Sequence, residues 1–122
     1  DRDPDYVVED QTRPEQAAIY RLTGDRNPIH IDPQFAKFGG YNEPFLHGLC
    51  TYGFSGRAVL HSLCGSDPEK FISMSARFSD QVYMGDTIIT KIWDEGNGQA
   101  VMTAETQKGN VVMNQCRIEY KA

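Results

Sequence analysis

Apolar residues in the middle of the chain recur at the spacing of an α-helix. Between residues 46 and 63, one helical face would carry Leu49, Tyr52, Gly56, Val59, Leu60 and Leu63. The opposite side is not clearly polar, because Phe54 and Ala58 lie there. The pattern therefore predicts a long and largely buried helix. An ordinary amphipathic surface helix is the alternative that periodicity alone leaves open.

The same predicted helix is rich in glycine, which disfavours helix formation. Gly48, Gly53 and Gly56 all fall within it, and each costs about 1 kcal/mol relative to alanine in a helix interior. We expect another element to pack very close to the helix at these positions.

The last third of the chain changes to the patterning of β-strands. Turn residues at 85–86, 96–98 and 109–110 separate the β-rich segments. The predicted strands are Phe71 to Val82, Thr87 to Glu95, Ala100 to Gln107 and Val111 to Tyr120. Their spacing predicts antiparallel strands that follow one another as a meander. A further short strand is expected at Tyr6 to Val8 near the start of the chain.

Two shorter helices are predicted before the long one. Thr12 is a plausible N-cap, with Pro14 in the first turn and Glu15 at the capping-box spacing, and Gly24 would end this helix after Leu22.

The second short helix would begin with Asp32 as its cap and Pro33 at its first position, and end at Gly39. One strand, three helices and four further strands predict an α+β domain in which one sheet wraps around a central helix.

Composition restricts the class of protein. The 122 residues are the size of a single domain, 1–122, and the 39% hydrophobic residues are enough for a core. The net charge of −5 argues against nucleic acid, which needs clustered Lys and Arg. No apolar run is long enough to insert into a membrane, and no signal peptide is visible. The chain starts with Asp rather than Met, which is typical of a fragment, so any terminal targeting signal could have been lost.

The three cysteines predict neither disulfides nor a zinc site. Cys50, Cys64 and Cys116 are scattered and odd in number, so we expect buried free thiols in a reducing compartment.

The segment between the two short helices carries the candidate chemistry. Asp25 and His30 would lie on different faces of a continuous helix, but Gly24 and the Asn27–Pro28 step predict an irregular, bent loop instead. Such a loop can turn both side chains towards one point, where a carboxylate and an imidazole form an acid–base pair. Asn27 could hold a water or a carbonyl group. The alternative is that Asp25 caps a turn and that His30 is a packed side chain.

A second motif supports the functional interpretation. His47–Gly48 precedes the long helix, where backbone N–H groups are free and positively polarised. The N–H of Gly48 could bind an oxyanion, because no side chain obstructs an approaching carbonyl. A metal is not expected, since His30, Asp32 and His47 lack a standard zinc spacing. His61 is interpreted as an ordinary helix residue.

These motifs together resemble a known family. The sequence YRLTGDRNPIH at residues 20–30, followed after five residues by Ala36, is similar to the signature of the MaoC-like, or hydratase 2, hot-dog domains. The segments PFLHGLC at 44–50 and ARF at 76–78 strengthen the resemblance, which covers essentially the whole chain. The chain most closely resembles the catalytic hot-dog repeat of the hydratase 2 unit in eukaryotic peroxisomal multifunctional enzyme type 2.

The resemblance implies a hot-dog fold and a hydro-lyase activity in fatty acid β-oxidation. The reaction would be reversible addition of water to trans-2-enoyl-CoA, giving (3R)-3-hydroxyacyl-CoA, without a metal or other cofactor. Asp25 and His30 match the family's catalytic pair, and Asn27 matches its active-site asparagine. Gly48 matches the glycine whose N–H faces the thioester carbonyl. The residues that match acyl-CoA-binding segments are Arg26, Pro28, Ile29 and Phe78.

The resemblance also implies a partner and a location. The eukaryotic enzymes carry two hot-dog repeats in tandem and this chain has one, so we expect a second repeat or a homodimer partner beside it. A peroxisomal location rests on the resemblance only, because no targeting tripeptide is seen in the sequence. An acyl-CoA thioesterase and a non-catalytic acyl-binding repeat are the alternative functions. The Asp–x–Asn–Pro–x–His loop argues against the first, and retention of both Asp25 and His30 argues against the second.

Overall fold

A five-stranded antiparallel sheet forms the framework of the computed structural model, which describes residues 2–122. The strands are β1 (Tyr6–Gln11), β2 (Phe71–Phe78), β3 (Thr87–Gly96), β4 (Gln99–Thr106) and β5 (Val111–Tyr120). Their order across the sheet is β1-β3-β4-β5-β2. The α-helices are α1 (Gln16–Tyr20), α2 (Pro33–Phe38) and α3 (Gly48–Leu63), and short 3₁₀ helices cover Arg21–Thr23, Pro28–His30 and Pro68–Lys70. Within the described residues, none of these helices is both long and apolar enough to cross a membrane.

The long central helix α3 packs against the sheet as the sequence predicts, contacting β1, β2 and β3. The face that it buries is shifted from the predicted one but overlaps it. Val59 belongs to both, and the predicted Tyr52, Leu60 and Leu63 are partly buried against the core. The fully buried residues of α3 are Cys50, Thr51, Ser55, Ala58 and Val59, whereas Leu49 is 61% exposed. Small side chains on this stripe let the helix approach the sheet closely, and the Ser55 and Thr90 hydroxyls share a buried hydrogen bond of 2.9 Å.

The glycines of α3 differ in how closely they are approached. A Cβ added at Gly48 would lie 3.3 Å from the Phe78 ring, whereas one at Gly56 would meet only Met74 at an ordinary 3.9 Å. Nothing lies within 4 Å of a Cβ at Gly53. The expectation of close packing is therefore confirmed at Gly48 and wrong at Gly53.

The core lies between α3 and the concave face of the sheet. Alternate residues of β3 and β4 are buried, in agreement with the period of two that the sequence shows. The core residues contributed by β3, β4 and β5 are Ile88, Ile92, Ala100, Met102, Ala104, Val112, Met113, Cys116 and Ile118. All three cysteines are free and buried, as expected.

The predicted meander is correct for β3, β4 and β5 but wrong for β2. This strand ends at Phe78 rather than at Val82, and it pairs with β5 instead of β3. Beyond the strand, the carbonyl of Val82 accepts a hydrogen bond of 2.7 Å from the N–H of Leu46 instead of pairing within the sheet. β2 is thus an edge strand, and the segment after it crosses beside the start of α3.

The first helix is shorter than predicted, and its expected cap has another role. α1 begins after Glu15, which makes no side-chain cap. Thr12 is buried instead, where its hydroxyl donates to the Asp86 carbonyl at 2.7 Å and accepts from the N–H of Gly85 at 2.9 Å. The capping-box prediction was wrong because this long-range pair of bonds competes for the same hydroxyl.

The end of the first helical segment and the start of α2 follow the prediction. Gly24 terminates the first helical segment with φ of +126°, a conformation that favours glycine. The carboxylate of Asp32 accepts from the N–H groups of Gln34 and Phe35, and Pro33 is the first residue of α2. Asp32 is therefore a helix cap, as the sequence indicates.

Candidate active site

The loop between α1 and α2 is held in a fixed bend by its own side chains. Asp25 accepts a hydrogen bond of 3.2 Å from the N–H of Asn27, and Asn27 in turn accepts one of 3.1 Å from Ile29. The segment Pro28–His30 forms one turn of 3₁₀ helix rather than an irregular loop. Asp25 does therefore close a turn, and it still retains a second carboxylate oxygen that can act in chemistry.

His30 is buried and oriented by a backbone carbonyl. Its side chain is only 8% exposed, and its Nδ1 lies 2.8 Å from the carbonyl oxygen of Phe45. Since a carbonyl oxygen can only accept, the proton of neutral His30 is assigned to Nδ1. Nε2 then carries the lone pair and is free to take a proton. This is the arrangement expected of a general base whose orientation a second group fixes.

The structure brings Asp25 and His30 together, as the sequence predicts, and adds His47 to them. One nitrogen or carboxylate oxygen of each residue lies within 4.8 Å of the others. Two atoms that hydrogen-bond to the same water are about 4.6 Å apart, given hydrogen bonds of about 2.8 Å and a tetrahedral angle. A single water molecule can therefore bridge Asp25 and His30.

The sequence indicates His47 only as the residue before Gly48 and as one not expected to bind a metal, so the role of its side chain in this cluster is one that sequence reasoning missed. Its ring is 2% exposed and lies between two aromatic neighbours, with ring centroids 3.9 Å from His30 and 4.6 Å from Tyr20. Its Nε2 lies 3.1 Å from the backbone carbonyl oxygen of Asp25. Only its place directly before Gly48 could have drawn attention to it, because its partners are distant in sequence.

The surroundings of His47 favour the neutral ring. Burial, followed by the charge of the adjacent His30, lowers the pKa of His47 below its ordinary value. Because the Asp25 carbonyl can only accept, the proton of neutral His47 is assigned to Nε2. Within the described residues its Nδ1 is buried without a hydrogen-bond partner.

Asp25, His30 and His47 also lie close enough together to hold a metal ion, with one ligand atom each within 4.8 Å of the others. One nitrogen of each ring, Nδ1 of His30 and Nε2 of His47, already faces a backbone carbonyl oxygen, so each ring has a single nitrogen left for a ligand.

Gly48 is the first residue of α3 and lines a cleft. Within residues 2–122, the Gly48 N–H donates to no protein acceptor, so it is one of the free donors at a helix start. The cleft has a volume of about 210 Å³, and Phe45, Val82 and Phe78 contribute to its mostly apolar lining. A carbonyl group in the cleft could reach this donor because glycine has no side chain.

The other predicted site residues differ in exposure and in what their side chains contact. Arg26, Asn27 and Pro28 are exposed on the loop, and the amide oxygen of Asn27 is engaged by the backbone, which leaves its NH₂ group as the available donor. Ile29 packs its side chain towards Gly39 at the end of α2. Phe78 is 47% exposed on the edge strand and covers Gly48. Gly48 and Phe78 therefore line the cleft, whereas Asp25 and His30 lie together beside His47, the residue before Gly48.

Known proteins share both the sequence and the fold of this chain. Residues 1–115 match the family described as MaoC like domain. Peroxisomal multifunctional enzyme type 2 of Mus musculus is 45% identical over 118 residues, which cover 97% of this chain and 16% of that protein. Peroxisomal enoyl-CoA hydratase 2 of Arabidopsis thaliana is 43% identical over 112 residues, which cover 92% of this chain and 36% of that protein.

A solved structure agrees closely with the fold. The MaoC-like dehydratase from Phytophthora capsici superimposes with a TM-score of 0.96 at 41% identity, covering 98% of this chain and 43% of that one. This chain thus spans well under half the length of the curated relatives described above. The family match over nearly the full length, together with this superposition, establishes that the chain belongs to the MaoC-like domain family and has its hot-dog fold.

Proposed function

We propose that this domain is an (R)-specific 2-enoyl-CoA hydratase, a hydro-lyase that adds water to trans-2-enoyl-CoA to give (3R)-3-hydroxyacyl-CoA in fatty acid β-oxidation. The observation that carries the proposal is the joint placement of Asp25 and His30, which lie close enough to share one water, near a helix start whose Gly48 N–H is free. The name of the Arabidopsis relative, enoyl-CoA hydratase 2, supports the same reaction class.

The acid–base pair would activate the water. Asp25 orients it through a carboxylate oxygen, and Nε2 of His30 accepts its proton while the water oxygen bonds to C3 of the enoyl thioester. The electron pair of the C2=C3 bond moves towards the thioester, whose oxygen gains negative charge. The Asp25–His30 pair then returns one proton to C2, so the protein ends the cycle in its starting protonation state.

The start of α3 would stabilise the charge that develops on the thioester oxygen. The free N–H of Gly48 donates to that oxygen, and the positive end of the sixteen-residue helix acts in the same direction. One donor of this kind is typically worth about 3 kcal/mol in the transition state. Phe78, Arg26 and the exposed NH₂ group of Asn27 are proposed to contact the acyl-CoA, and Pro28 to keep the loop bent. The packed position of Ile29 limits its proposed role to supporting the loop.

Hydration of crotonyl-CoA tests the proposal. Loss of the enoyl absorbance without release of free thiol is the expected result, whereas thiol release would identify a thioesterase. Asp25→Ala and His30→Ala should each lower kcat at least about 100-fold. His61→Ala is the matched control, because His61 is exposed and bonds only Ser66 at 2.7 Å. Near-native turnover in either site variant would contradict the assigned roles.

The proposed steps use only water and protein groups. We therefore expect turnover to survive dialysis against a chelator. Loss of activity on dialysis, with recovery on adding a metal ion, would contradict the cofactor-free mechanism.

A second hot-dog unit is proposed to complete the site. The edge strand β2 pairs on one side only among the described residues, and it leaves Ile72 57% and Phe78 47% exposed. Unpaired edges are normally covered, and this one borders the Gly48 cleft through Phe78. Sedimentation under assay conditions should show two units per active particle, and an active monomer would refute the proposal.

We also propose that the parent protein works in peroxisomes. The support is the naming of the mouse and Arabidopsis relatives as peroxisomal. Fluorescence microscopy of the tagged full-length protein should show it coinciding with a peroxisomal marker, and diffuse fluorescence would contradict the location.

A further inference from the structure

We propose that His47 is a positioning residue, which ties the acid–base loop to the start of α3 and so sets the distance between the Asp25–His30 pair and the Gly48 N–H. This inference rests on the proposed hydratase function. It concerns a residue that does not itself take part in the proton transfers.

Three contacts make His47 the point at which the parts of the site meet. Its Nε2–H donates to the Asp25 backbone carbonyl at 3.1 Å, and its ring stacks on His30 with centroids 3.9 Å apart. It is also the residue that precedes Gly48 and caps α3 through its backbone, because its carbonyl accepts from Cys50 at 3.0 Å. A displacement of this one side chain would therefore change the geometry of all three proposed groups.

Among residues 2–122, no other side-chain hydrogen bond joins the loop carrying Asp25 to the start of α3. The side chain of Asp25 bonds only within its own loop, to the N–H of Asn27. His30 bonds the Phe45 carbonyl, two residues before His47. His47 is therefore the only side chain in the described residues that hydrogen-bonds the Asp25 backbone from outside the loop.

The neutral form of His47 suits this role. The titratable groups around its ring are His30 and Tyr20, which stack on its two sides, and Asp25, whose carbonyl it bonds. Burial lowers the pKa of His47, so the ring stays an uncharged donor and does not compete with His30 for the proton. A neutral imidazole against His30 also adds no charge repulsion when His30 takes up its proton.

Two substitutions distinguish the contribution of the His47 hydrogen bond from that of its aromatic ring. His47→Phe keeps a buried aromatic ring against His30 but removes the donor to Asp25. His47→Gln places an amide NH₂ near the position of Nε2 and so keeps the donor. Because a displacement of about 1 Å in a site can cost as much as about 100-fold in rate, the Phe variant should lose about 10- to 100-fold in kcat with KM changed less than about threefold. The Gln variant should regain at least half of that loss on a logarithmic scale.

Kinetics of wild type, His47→Phe and His47→Gln on crotonyl-CoA, with unfolding midpoints alongside, decide the proposal. Turnover of the Phe variant within twofold of wild type, or a loss that resides in KM alone, would overturn it. Equal loss in both variants would also overturn it, because the Gln variant retains the donor. Absence of hydration by the wild type, alone and with its second hot-dog unit, would instead reject the proposed function.

A measurement on the wild type keeps the inference testable if the variants do not fold. ¹⁵N NMR of the imidazole nitrogens should show His47 as the neutral tautomer protonated on Nε2, with its pKa below the ordinary value because of burial, and neutral His30 as the tautomer protonated on Nδ1. A His47 protonated on Nδ1, or one that titrates as an ordinary exposed histidine does, would overturn the proposed contact to Asp25.

Discussion

The substitution Gly48→Ala tests how the site reaches the developing charge. The new Cβ would lie in the lining of the cleft, 3.3 Å from the Phe78 ring. The donor itself would remain, but we expect the added methyl group, crowded by Phe78, to hold a thioester oxygen away from the Gly48 N–H. The variant therefore removes one interaction while leaving Asp25 and His30 unchanged.

The expected magnitude follows from that single lost donor. A donor to an oxyanion contributes about 3 kcal/mol, which corresponds to about a 100-fold fall in kcat/KM at about 1.4 kcal/mol per factor of ten. The effect on stability should be small, because Phe78 is 47% exposed and its ring can move by a few tenths of an ångström. Overpacking a closed core typically costs about 1–3 kcal/mol. We expect the free energy of unfolding of Gly48→Ala to change by less than this.

The assay is initial-rate hydration of crotonyl-CoA, with urea unfolding of the same samples. Gly56→Ala is the matched control, since it lies in the same helix and its Cβ would meet only Met74 at 3.9 Å. This control should retain wild-type activity and gain up to about 1 kcal/mol from helix propensity. A Gly48→Ala enzyme with more than a third of the wild-type kcat/KM would refute the assigned role of the Gly48 N–H.

Two further predictions concern stability. Thr12→Val should cost about 1–3 kcal/mol in urea unfolding, because it leaves the Gly85 N–H without its acceptor and removes one of the two donors to the Asp86 carbonyl. Thr103→Val is the control, and an equal cost in both variants would contradict the reasoning. The hydroxyl of Tyr120 donates to Asp94 at 2.6 Å, and this bond raises the pKa of Tyr120 from 10.0 to about 12. The hydrogen bond from Tyr120 contributes to stability below about pH 10, and this contribution is lost as the pH rises to about 12. The difference in unfolding midpoint between wild type and Tyr120→Phe should therefore shrink between about pH 8 and about pH 11.5. An unchanged difference would refute the prediction.

Much of the local structure could be predicted from the sequence. The cap formed by Asp32 and Pro33 and the helix end at Gly24 depend on neighbours within four residues, and both are confirmed. The strands β3, β4 and β5 were predicted to within about two residues, because their period of two and their glycine turns are local features. The bend that joins Asp25 to His30 follows from the Asn27–Pro28 step in the same way.

Predictions failed where a side chain had a distant partner. Thr12 has the sequence context of a cap, yet it bonds Asp86, 74 residues away. The buried stripe of α3 runs through Thr51 and Ser55 because these small residues fit against the sheet near Thr90. A search for large apolar residues cannot find such a stripe.

The sequence by itself determined the type of fold, the order of its elements and the pair of residues expected to move protons. Each of these depends on spacing along the chain or on motif residues that the chain displays directly. Only the tertiary structure decided that β2 pairs with β5 at the edge of the sheet, and that His47 lies between Tyr20 and His30. Those facts depend on contacts between residues far apart in sequence, whose geometry is fixed only when the helices pack on the sheet.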